Sequence, residues 1–105
     1  MSEFQRPANE IREITDIIER LYGISNDGLQ KIIEESSAII TREKERRLSG
    51  EFGEQAKETH TLEESKALTT ITLAYEFIQS RQDKTDFDPY EFMGIRPAPA
   101  LTVVP

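Results

Sequence analysis

The segment from Leu62 to Gln82, LEESKALTTITLAYEFIQSRQ, is the most apolar in the chain and constrains everything around it. As a helix turning about 100° per residue, it stacks Leu68, Ile71, Tyr75 and Ile78 on one stripe, flanked by Ala67, Ala74 and Phe77. Leu73 widens the apolar arc past half the circumference. Only a narrow polar ribbon of Ser65, Thr69, Thr72, Glu76 and Gln79 remains. A helix this apolar needs neighbours on more than one side, so it is expected to be the central packing element. The same residues also alternate as a strand would, with Ile71, Leu73, Tyr75 and Phe77 set against Thr72, Ala74 and Glu76. Two features favour the helix. Thr61 and Glu64 have capping-box spacing ahead of a run of helix formers, and no second strand-like run precedes the tail to pair with.

Two further helices precede it. From Asn9, the residues Ile11, Ile14, Ile17, Ile18 and Leu21 recur at spacings of three and four, with Arg12, Glu13, Asp16, Glu19 and Arg20 on the other face. This predicts an amphipathic helix over about 8–22, with Gly23 as its C-terminal cap. Ser25-Asn26-Asp27 can cap a second helix over about 26–47, whose apolar face is Leu29, Ile32, Ile33, Ile39 and Ile40. Beyond Ile40 the stripe stops, and TREKERR (41–47) carries charge on every side, so the helix is expected to end in solvent. Residues 48–61, with Gly50 and Gly53, read as a loop anchored only by Phe52. From residue 83 to 105 the composition shifts to aromatics and prolines, which predicts an extended tail. The expected fold is all-α: a three-helix domain over 1–82, formed by a hairpin and a hydrophobic third helix, followed by the tail at 83–105.

Several function classes are disfavoured. The net charge of −7 over 105 residues repels nucleic-acid backbones and anionic lipid. With no cysteine, thiolate chemistry and a disulfide framework are absent. His60 is the sole histidine and has no patterned carboxylates around it, so no metal site is expected. Glu34-Glu35 and Glu63-Glu64 are adjacent pairs, whose side chains diverge on a helix rather than converging on a substrate. No glycine-rich phosphate loop is present, and no nucleophile lies near a base in sequence. The chain reads as a non-enzyme that needs no cofactor. No apolar run has the length to span a bilayer, and MSEFQRPANE lacks the basic-then-apolar layout of a signal peptide, so a cytoplasmic setting, in its own cell or a host cell, is expected.

The stretch IERLYGISNDGLQKI (18–32) resembles the helix-turn-helix of DNA-binding regulators. Gly23 sits at the turn, Ile24-Ser25 follow it, and Leu29 and Ile32 occupy apolar positions of the second helix. The resemblance implies that this second helix would enter the major groove. It covers fifteen of 105 residues and departs from the pattern twice. Glu19 stands where a small residue is usual, and the outward positions are Asn26, Asp27, Gln30, Lys31, Glu34 and Glu35, which suit phosphates poorly. A plain helical hairpin produces most of the same pattern.

Two clusters are candidate contact sites. Phe87, Tyr90, Phe92 and Met93 fall within seven residues of the tail, with Arg96 just beyond. Aromatics at this density suit the anchoring of a partner, and they suit equally a return onto the chain's own core. Arg42, Lys44, Arg46 and Arg47 form a secondary basic patch for an acidic partner or RNA, or else a solvated helix end. The function expected first is a protein-interaction module, an adaptor or inhibitor that occupies a partner's surface through its helical face and aromatic tail. The composition suits a phage or mobile-element product. The alternatives are a DNA-binding regulator or antitoxin, and a structural subunit of a homo-oligomeric or virion assembly strapped together by the tail. Three helices bury limited area, so a homo-oligomer is expected.

Overall fold

The computed structural model describes residues 8–95, and the protein is all-α. Helix α1 spans Ala8–Tyr22, α2 Asn26–Leu48, α3 Leu62–Asp83 and the short α4 Pro89–Phe92, with a 3-10 turn at Gln55–Glu58. Residues 71–77, where strand and helix competed, lie within α3. The capping box forms as its spacing predicts. The Thr61 hydroxyl accepts the Glu64 amide at 3.1 Å, and the Glu64 carboxylate accepts the Thr61 amide at 2.9 Å.

Helices α2 and α3 pack antiparallel along most of their length. Arg47 meets Glu64 at one end, and Arg81 meets Asn26 at the other. Helix α1 lies across one side of this pair and delivers Ile14, Ile17, Ile18 and Leu21 to a core shared with Leu29, Ile33, Leu73, Ala74 and Phe77. Arg81 locks the α1–α2 turn. Its guanidinium donates to the carbonyls of Ile24 (2.7 Å) and Tyr22 (3.3 Å) and to the Asn26 side chain (2.9 Å). Those carbonyls lie at the helix junction, so one side chain from α3 satisfies acceptors that the hairpin leaves open.

The structure corrects three expectations. First, the large-residue stripe of α3 is not its buried face. The buried residues are Glu64, Ala67, Thr70, Leu73, Ala74 and Phe77, whereas Leu68 and Tyr75 are 39% and 55% exposed and Ile71 and Ile78 are half-buried. Small residues at 67, 70 and 74 let the neighbouring helices approach closely. The Thr70 hydroxyl costs little there because it bonds back to the Lys66 carbonyl at 2.8 Å. Bulk marked the stripe; close packing chose its neighbour.

Second, α2 does not run out into solvent along 41–47. Its buried stripe continues through Ser36 to Glu43 and Arg47, which are 3% and 7% exposed, at helical spacings of seven and four. The stripe changes from apolar to ionic without leaving the interface. Arg47 also donates to the Lys57 carbonyl, so this arginine ties down the 48–61 connection. Phe52 is instead 41% exposed beneath the Arg46 guanidinium.

Third, the tail is not extended up to residue 95. It turns back and buries Pro89 and Ile95 against the helices. No helix among the described residues is long and apolar enough to cross a membrane.

Candidate partner-binding surface

The C-terminal segment is built like a miniature helix with both ends closed. Asp88 accepts the amides of Tyr90 (3.0 Å) and Glu91 (3.3 Å), and Pro89 occupies the first helical position, where its missing amide costs nothing. At the far end Gly94 adopts φ +75°, a left-handed conformation that a side chain would strain. Its amide reaches the Glu91 carbonyl at 3.0 Å, while the Ile95 amide reaches that of Tyr90 at 2.9 Å. This bond pair is the Schellman motif, whose usual apolar contact is supplied by buried Ile95. Upstream, α3 closes on Lys84 in the left-handed region at φ 58°. The chain therefore turns sharply at 84 and again at 94.

Between these turns an aromatic ladder ties the segment to the core. Phe77 meets Tyr22 edge-on at 5.2 Å and Phe87 at 5.3 Å, and Phe87 meets Phe92 at 5.5 Å. The ladder is buried in the middle and open at its ends. Phe77 is 5% exposed, but Tyr22 and Phe92 are 51% and 45% exposed.

The structure thus places the five residues singled out in the tail differently. Phe87, Tyr90 and Met93 are half-buried against the core, Phe92 faces outward, and Arg96 lies outside the described residues. Burial pushes the Tyr90 phenol above its ordinary value, with the Glu19 carboxylate acting the same way. Met93 helps to line a groove of about 490 Å³ between the N-terminal halves of α1 and α3, floored by Ile14 and Ile17.

The basic stretch does not form one patch. Arg42 and Lys44 are exposed, but Arg46 is engaged by Glu43 at 3.0 Å and Glu51 at 2.8 Å. Arg47 is buried, which removes it from any contact surface. Its Nε and a second nitrogen bind the two Glu64 oxygens at 2.9 and 3.2 Å. The Thr61 hydroxyl, already capping α3, donates to Glu43 at 3.0 Å. Glu43, Thr61, Glu64 and Arg47 therefore form one continuous polar cluster that joins α2 to the start of α3. Sequence reasoning found the Thr61–Glu64 half of it. The other half was signalled by Glu43 and Arg47 extending the spacing of Leu29, Ile33 and Ser36, a cue hidden by the surrounding charges.

Among the described residues no group of three or more His, Cys, Asp or Glu side chains is placed to hold a metal ion. Of the adjacent glutamates, Glu34, Glu35 and Glu63 are exposed, and Glu64 is taken up by Arg47. Along the would-be recognition helix, Asp27, Gln30, Lys31, Glu34 and Glu35 are exposed, while Asn26 is half-buried and held by Arg81. No protein-family model matches the chain, and no curated protein or solved structure shows significant similarity to it.

Proposed function

We propose that the protein is a non-enzymatic binding module, an adaptor or inhibitor, that docks on another protein through the outer end of its aromatic ladder. The observation that carries this reading is Phe92, a large apolar ring left 45% exposed on a turn that is capped at both ends and backed by Phe87. An aromatic held in place loses little freedom on binding, which is the property of an interface anchor. Asp86, Asp88 and Glu91 stand close to it in sequence. The complementary partner is an apolar pocket with a basic rim. The acidic exposed positions of α2 favour this reading over one in which that helix reads DNA.

Capture experiments with immobilised wild type and Phe92→Asp, from lysate of the cell that makes the protein, test it. A partner held by the wild type should be held about 30-fold more weakly by the variant, the size of a hot-spot loss. Both baits should unfold at the same temperature. If wild type and variant retain the same proteins equally, Phe92 is not the anchor.

A further inference from the structure

We infer that the face of the α2–α3 pair opposite α1 is a self-association surface, on which a second copy of this chain packs. The starting point is the stripe that sequence periodicity expected inside. Leu68 and Tyr75 stand 39% and 55% exposed, with Ile71 half-buried beside them. Their place in the fold follows from the packing around α1. Ile17 and Arg20 of α1 share a cavity with Ser36 and Ile39 of α2 and with Lys66, Ala67 and Thr70 of α3, so those residues mark the α1 side of the pair. Helical geometry then puts Gln30, Glu34, Ser37, Thr41 and Lys44 of α2, with Leu68, Thr72, Tyr75 and Gln79 of α3, on the other side. No described element covers that side.

The chemistry of this face argues for a second copy as its occupant. Charged residues make up 31% of the chain, yet of those nine positions only Glu34 and Lys44 are charged, and their signs cancel. Two copies that each carry −7 repel across most of their surfaces, and a nearly neutral face is where they can approach. A strongly charged partner would find only one opposite charge there to pair with. Exposed Leu68 and Tyr75 give the face an apolar centre, and its shortage of charge is shared with interface cores, from which charge is depleted. The named positions run about 21 Å along α2 and about 17 Å along α3, so two helices each about 10 Å across present roughly 400 Å² per copy, or about 800 Å² in all, the size of a weak, concentration-dependent contact. The contact is isologous, each copy offering the same face, and it leaves the aromatic ladder available.

Light scattering over a concentration series tests this with the full chain. The wild type should rise from the 12.1 kDa of one chain to twice that mass. Thr72→Arg should raise the dissociation constant at least about tenfold, because it sets like charges against each other across the two-fold. Thr72 is exposed and arginine is a better helix former, so the fold is retained. Tyr75→Glu, at a second exposed position, should act in the same direction. Gln55→Arg, which adds the same charge in the 3-10 turn, should leave the mass unchanged. A wild type that stays at one chain's mass throughout overturns the inference. So does a dimer that Thr72→Arg and Tyr75→Glu leave intact, or one that Gln55→Arg weakens equally.

Discussion

Arg47→Ala should lower the unfolding free energy by about 3–5 kcal/mol, the usual cost of removing one partner from a buried ion pair. Arg47 is 7% exposed and Glu64 only 1%. Without the guanidinium, Glu64 keeps the Thr61 amide but loses both of its charged donors, and the Lys57 carbonyl loses Arg47 as well. Arg47→Lys should not restore the loss, because an ammonium cannot present the planar fork that spans two carboxylate oxygens and a carbonyl. Urea unfolding measures both variants. A cost below about 1 kcal/mol would mean that water reaches the pair, as it does in surface ion pairs.

The same cluster has an acid signature. Hydrogen bonds from Arg47 hold the Glu64 carboxyl below its ordinary value of 4.5; burial opposes them, and the Thr61 amide adds to them. A carboxyl depressed in the folded state contributes fully above its unfolded value and loses that contribution as pH falls through the lower folded value. Below about pH 4.5, the wild type should therefore lose stability more steeply than Glu64→Gln.

Phe77→Ala should cost about 3–5 kcal/mol, the range for emptying a buried aromatic site. The ring is 5% exposed, the buried rung of the ladder, and touches Tyr22 at the end of α1 and Phe87 in the C-terminal segment. The Arg81 guanidinium, which holds the α1–α2 turn, also lies 5.6 Å from its centre. One truncation thus loosens three segments at once, and the site cannot collapse without moving all of them. Tyr75→Ala, two residues earlier on the same helix and 55% exposed, should change stability by less than about 1 kcal/mol. Equal costs for the two would reverse the assignment of the buried face.

The contrast between Phe77 and Tyr75 shows what the sequence could and could not convey. Periodicity fits a helix or a strand over α3 and shows that it is apolar over a wide arc, while the capping-box spacing of Thr61 and Glu64 favours the helix and marks where it starts. An arc wider than half the circumference has no unique inward direction, though. Which side faces α1 and α2 depends on where Ala67, Thr70 and Ala74 permit close approach, a property of three helices together. Arg47 fails to announce itself for a related reason. In a run such as TREKERR every residue looks solvated, and only the position of Glu64, seventeen residues away, makes this arginine interior. In the tail, the shift to aromatics and prolines was visible, but the spacing of Phe87, Tyr90 and Phe92 could not say which ring turns outward.

If the C-terminal aromatics are core on one side and contact surface on the other, cutting the chain after Asp83 must destabilise what remains. The cut removes buried Pro89 and Ile95 and the half-buried Phe87, Tyr90 and Met93. Even two or three kcal/mol of lost burial corresponds to a melting temperature lower by about 10 °C or more in a domain of this size. Thermal unfolding of the full chain and of the chain ending at Asp83, followed by circular dichroism, reads this directly. A drop of about that size supports a docked segment that presents Phe92 from a fixed position. Melting temperatures within about 2 °C of each other would show that the segment contributes nothing to the fold, and would contradict an anchor held in place by it.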